Sequence, residues 1–80
     1  MTIFVGVTPQ EVAHIENAVR EHLMAKGVNT SRLEIEARNV YLEADGTITA
    51  SLRITEDWMQ VDRSTYILRK EREDYFEVIE

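Results

Sequence analysis

Four apolar residues, Val12, Ile15, Val19 and Leu23, recur at spacings of three, four and four, which puts them on one narrow stripe of an α-helix. The residues ahead of the stripe mark its start. Thr8 stands at the N-cap, Pro9 at the first helical position and Glu11 three residues beyond the cap, the arrangement of a capping box. Val7 and Val12 occupy the two positions of a hydrophobic staple. Gly27, directly behind Lys26, marks a left-handed stop, and Val28 can fold back on the last turn. The pattern predicts an amphipathic helix over residues 8–26. Its far side, with His14, Asn17 and Glu21 beside Ala18 and Ala25, is expected to face water, and Glu16 and Arg20 are spaced to pair at i,i+4.

The rest of the chain reads mainly as strand. Residues 2–7 are β-branched or aromatic apart from Gly6, which suits a strand with a bulge or close approach at the glycine. Residues 32–54 read as a hairpin turning at Asp45-Gly46. Its second strand alternates, with Ile48, Ala50, Leu52 and Ile54 on one face and Thr47, Thr49, Ser51 and Arg53 on the other. The first strand changes phase between Ala37 and Val40. A two-residue turn would set Tyr41 opposite Ala50 and bury Asn39 with Leu33, Ile35 and Ala37. A three-residue loop, 44–46, would set Leu42 opposite Ile48 and Val40 opposite Ala50, with a second bulge near Arg38-Asn39. The second register buries more apolar side chains and is preferred; the choice decides whether Tyr41 is core or surface.

Residues 55–63 begin with a plausible cap and two acids and are read as a short helical turn carrying Trp58 and Met59. Residues 64–80 are read as a hairpin, because Thr65, Tyr66, Ile67, Tyr75, Phe76, Val78 and Ile79 favour strand. Pairing Arg69 with Asp74 and Lys70 with Glu73 would suit its charged connection. A second helix over 64–80 is the alternative, since no glycine or proline interrupts it. The fold class is therefore α+β, one domain over 1–80, with one helix packed on an antiparallel sheet in the order β-α-β-β-(short turn)-β-β.

Charge and composition narrow the function classes. The formal net charge is −6, and it is uneven: residues 1–40 hold five acids and four bases, residues 41–80 ten acids and five bases. Such a balance opposes binding to a phosphate backbone and favours a basic protein partner, or simple solubility. There is no cysteine, so disulfides, thiolate metal sites and thiol redox chemistry are excluded. No apolar run approaches the length of a membrane span or signal core, and the expectation is a cytoplasmic chain without membrane contact.

Motifs for chemistry are missing. His14 and His22 lie eight residues apart, too far around and along a helix to share a metal readily, and there is no HExxH. Ser31, Ser51 and Ser64 have no adjacent nucleophile signature, the three isolated glycines build no phosphate loop, and residues 43–56 carry Thr and Ser where a calcium loop needs acids. No cofactor, metal or catalytic residue is expected. The expected function is a non-catalytic interaction module, an inhibitor, adaptor or regulatory subunit that covers a partner's surface. Glu56, Asp57, Trp58, Met59, Asp62, Glu71, Glu73 and Asp74 are its candidate contact residues. In the sharp version the acids, with Glu77, imitate phosphates on a basic nucleic-acid-binding surface, as small inhibitors of viruses and mobile elements do. A self-assembling domain, with a homodimer through an edge strand, is one alternative. A ligand site between helix and sheet, with Tyr41, Asn39, His22 and Tyr66 as its polar groups, is the other.

Overall fold

The capping box forms as the sequence requires: Thr8 Oγ1 accepts from the Glu11 N–H at 3.2 Å, and Glu11 Oε1 accepts from the Thr8 N–H at 2.9 Å. With two otherwise unpaired backbone donors satisfied, helix α1 runs over Pro9–Ala25 and is capped by Lys26, with Gly27 at a φ of 86° behind it. The computed structural model describes residues 2–57, 59–73 and 75–79, leaving aside the side chains of residues 60–62. The strands are β1 (Ile3–Val5), β2 (Leu33–Leu42), β3 (Thr47–Glu56), β4 (Met59–Arg72) and β5 (Tyr75–Val78), forming one five-stranded sheet in sequence order. Among the described residues no helix is long and apolar enough to cross a membrane.

The α+β class and element order agree with the expectation, but the sheet is mixed. β1 runs parallel to β2, because the single helix between them carries the chain back to the end of the sheet where it started. The remaining pairs are antiparallel. Gly6 ends β1 at a φ of 77°, where an added Cβ would lie 2.8 Å from the Leu42 Cβ. Only glycine fits that approach.

The β2–β3 hairpin adopts the preferred register. Leu42 faces Ile48 and Val40 faces Ala50, while the ladder shifts between Ala37 and Asn39. The Glu43 N–H donates to the Thr47 carbonyl, leaving a three-residue loop closed by Gly46 at a φ of 90°. Asp45 Oδ1 accepts from the Thr47 N–H and hydroxyl, which holds its carboxyl below its ordinary range.

The region 55–63 is not a helical turn. β3 continues to Glu56, which pairs with Met59, so only positions 57 and 58 connect β3 to β4. Asp57 adopts a φ of 51°, a conformation Asp tolerates, and lets the chain fold straight back. The described residues of 64–79 form the expected hairpin, not a second helix, but β4 is 14 residues long and starts well before it. Its register sets Arg69 against Glu77 and Lys70 against Phe76, with a bulge before Arg72. The expected pairs of Arg69 with Asp74 and Lys70 with Glu73 give way because Phe76 must point inward, and Asp74 lies outside the described residues.

Helix residues Val12, Ile15, Ala18 and Val19 pack on Ala37, Val40, Ile48, Ala50, Leu52, Leu68 and Phe76. Ala18, expected at the water side, is buried at 8% exposure because β5 lies along that flank of the helix. Glu16 and Arg20 do not close on each other; both reach the outer edge of β2, which β1 covers only from Asn39 onward. Glu16 Oε2 accepts from the Ala37 N–H at 2.8 Å. The Arg20 guanidinium donates to the Thr30 carbonyl at 2.7 Å and to the Leu33 carbonyl at 2.9 Å. Side chains thus satisfy backbone groups that a neighbouring strand would otherwise hold.

Two stability outcomes follow. Arg20→Met should lose about 1–3 kcal/mol, because it removes two charge-assisted hydrogen bonds to part-buried carbonyls, of which Thr30 keeps only the Leu33 N–H; exposed Glu21→Ala, on the same helix, should change little in the same thermal melt. Gly6→Ala should cost more than about 1 kcal/mol in a urea titration, since both its φ and its space are wrong for a side chain.

Candidate interaction face

The predicted contact residues separate into two groups. Glu56, Asp57 and Met59 lie at one end of β4, with Met59 72% exposed and Asp57 ion-paired to Arg32. Glu71 and Glu73 lie at its other end, in a molecule 35 Å long. Trp58 and Asp74 fall outside the described residues, as does the side chain of Asp62. The acids therefore flank the sheet at two ends and build no single acidic surface among the described residues.

Near the second end, Glu11 joins helix to sheet. Its Oε2 accepts from Lys70 Nζ at 2.9 Å while Oε1 completes the cap. The Lys70 hydrogen bond, then the Thr8 backbone, lowers the Glu11 carboxyl below its ordinary value, and Glu11 raises Lys70 in return. His22 packs edge-on against Tyr66, with centroids 5.9 Å apart, and burial favours its neutral form. His22 and Tyr66 thus sit in the helix layer, whereas Asn39 and Tyr41 occupy the opposite face of the sheet. The four polar groups expected around one ligand cavity do not share a site.

The opposite face of the sheet carries the distinctive arrangement. Since α1 covers one face and no other element of the described chain packs on the second, every outward side chain there meets solvent. Register alone decides which residues meet. One row crosses the sheet as Val5, Tyr41, Thr49 and Ile67, and the Ile79 N–H donates to the Ile67 carbonyl, extending it. Val5 is 49% exposed, Tyr41 37% and Ile79 39%. Tyr41 is therefore a surface aromatic, as the three-residue loop requires.

Beside this apolar row runs a polar one, Ile3, Asn39, Ser51 and Thr65, in which the Ser51 and Thr65 hydroxyls are 3.2 Å apart. Beyond it Glu36, Arg53 and Arg63 align, and Arg38, bulged out of the β2 ladder, donates to Glu36 Oε1 at 2.7 Å. That bond, reinforced by the charges of Arg38 and Arg53, holds Glu36 below its ordinary value. A shallow depression of about 390 Å³ lies here, lined by Arg38, Asn39, Ser51, Leu52, Arg63 and Thr65.

No family model matches the chain, and no curated protein or solved structure matches it.

Arg69 and Arg72 also alternate onto the open face; with Arg53 and Arg63, placed there by register, and Arg38 at its bulge, five of the seven arginines share it with Glu34, Glu36 and Glu77. Sequence reading missed this cluster. Its members are spread over residues 38–72, and in a chain of net charge −6 they read as scattered counter-charges. The one available signal was the outward alternation of Thr47, Thr49, Ser51 and Arg53 on β3.

The Glu11 tie has a defined pH dependence. A carboxyl lowered on folding contributes stability above its unfolded value, near 4.5, and loses it as pH falls through the folded value. Lys70, raised on folding, contributes below its unfolded value of 10.5 and loses this as pH rises through the folded value. Glu11→Gln should therefore lower the urea midpoint at pH 7, with the gap to wild type closing as pH falls below 4.5.

Proposed function

We propose that this domain is a non-catalytic interaction module that covers a partner protein's surface with the open face of its sheet. The observation that carries this reading is the solvent-facing row of Val5, Tyr41, Ile67 and Ile79 on a sheet whose other face alone is packed. Apolar and aromatic side chains bordered by arginines and hydroxyls are the composition of an interface centre with a polar rim. The terminal strands β1 and β5 are three and four residues long, which limits strand addition at those positions and favours the face over those edges.

A second reading has one observation in its favour. Among the described residues no strand pairs with the outer side of β4 before Ile67, so a second copy would have backbone to pair with there.

Affinity capture from the native host, with wild type and variants compared in parallel, separates these readings. A partner lost on Tyr41→Arg and on Ile67→Arg, yet kept on Glu71→Lys with Glu73→Lys, is the expected result. Loss on reversal of the two acids alone would overturn the face as the docking surface. Sedimentation at micromolar concentration completes the test: a stable dimer that persists in Ile67→Arg would establish the edge reading instead.

A further inference from the structure

We infer that Asn29 is an acceptor for N-linked glycosylation, taking its sugar from a lipid-diphosphate-linked oligosaccharide, and that the first sugar rests on the apolar recess beside it. The inference is independent of the open face. It departs from the cytoplasmic expectation, because a chain that carries such a glycan is an exported one.

Three observations converge on it. The first is in the sequence, where Asn29-Thr30-Ser31 is an Asn-x-Ser triplet with no proline at its centre, the recognition unit of this modification. Asn17 and Asn39, the other two asparagines, are followed two positions on by Val19 and Tyr41 and make no such unit.

The second is the way the fold presents the triplet, in the loop between α1 and β2, with Asn29 and Ser31 exposed and Thr30 buried between them. The Thr30 carbonyl accepts from the Arg20 guanidinium at 2.7 Å and from the Leu33 N–H at 3.1 Å, so the middle residue is fastened while its neighbours reach the surface. Asn29 Oδ1 accepts from the Ser31 N–H at 3.0 Å and from the Ser31 hydroxyl at 2.8 Å. Because a backbone N–H can only donate, this contact fixes which amide atom is the oxygen. Nδ2, the atom that would take the sugar, has no partner among the described residues.

The third is the surface beside it, an open recess of about 390 Å³ lined by Met24, Gly27 and Val28 together with the triplet itself. Met24 is 56% exposed and Val28 41%, and nothing lies within 4 Å of where a Cβ on Gly27 would stand. The C–H face of a sugar ring held at Nδ2 would cover these two side chains. This loop belongs to the helix layer, so a glycan here leaves the open face of the sheet bare for a partner.

The transfer balances without an oxidant or reductant. Asn29 Nδ2 bonds to the anomeric carbon as the bond from that carbon to the lipid diphosphate breaks; the diphosphate leaves with the electron pair, and one Nδ2 proton passes to a base of the transferase.

The test reads the full chain isolated from its native host. Trypsin cleaves after Lys26 and Arg32 and releases residues 27–32 as one peptide, so tandem mass spectrometry locates any sugar directly. A peptide heavier by a chain of sugar units on Asn29 is the expected result. Asn29→Gln and Ser31→Ala should each abolish the added mass, while Ser31→Thr, which keeps the hydroxyl, should retain it; the wild-type peptide decides alone if a variant does not fold. Hydrogen peroxide then probes the recess: because oxidation follows exposure, Met24 should oxidise about threefold more slowly, or slower still, than in the same chain made without sugar in a host lacking the transferase. Met59 on β4 is the internal reference. An unmodified 27–32 peptide would overturn the inference, as would added mass that survives Asn29→Gln. Equal Met24 rates would overturn the seating of the sugar on the recess.

Discussion

One helix of 17 residues has to cover a five-stranded sheet, and that shortage of covering material governs the rest of the structure. A helix with its side chains is about 10 Å across, whereas five strands spaced about 4.8 Å apart span about 19 Å. The core is consequently a strip beneath α1. Ala37 and Ala50 lie in it, where short side chains let the helix come close, and the larger Leu52, Leu68 and Phe76 complete it. Nothing is left in the described chain to cover the second face.

Because the apolar strip is narrow, polar side chains on the flanks of the helix set its position. On one side Glu16 and Arg20 hold the edge of β2 through backbone groups; on the other Glu11 holds Lys70 of β4 while capping its own helix. These contacts differ in kind. The first pair reaches part-buried backbone groups at the edge of β2. The second is an exposed ion pair, weak alone, whose strength follows the titration of both partners. The helix is thus anchored firmly to β2 and more softly to β4.

Strand register has a comparable influence on the exposed surface. A single bulge at Arg38 turns Val40 inward and Tyr41 outward, and adds a guanidinium to the row where Glu36, Arg53 and Arg63 meet. With the opposite phase Tyr41 would enter the core and Asn39 would be buried. The chemistry of the open face is therefore a product of pairing geometry, in which residues far apart in sequence become neighbours.

Local signals carried much of the architecture. The helix at 8–26 was legible because cap, staple, stripe and stop are all short-range, and the three-residue loop at 44–46 was the preferred of two registers because it buries more apolar side chains, Val40 among them. The C-terminal hairpin followed from its β-branched and aromatic content. The helical turn at 55–63 failed because cap-like residues and acids are equally compatible with a two-residue turn, and the pull of a long β3–β4 ladder decided between them. The parallel pairing of β1, the burial of Ala18 under β5 and the diversion of Glu16 and Arg20 to β2 depend on neighbours that no window of sequence contains. Composition settled the net charge and the absence of thiol chemistry; only the folded sheet decided that most of the arginines share one face, because charge is summed along a chain but felt across a surface within a screening length.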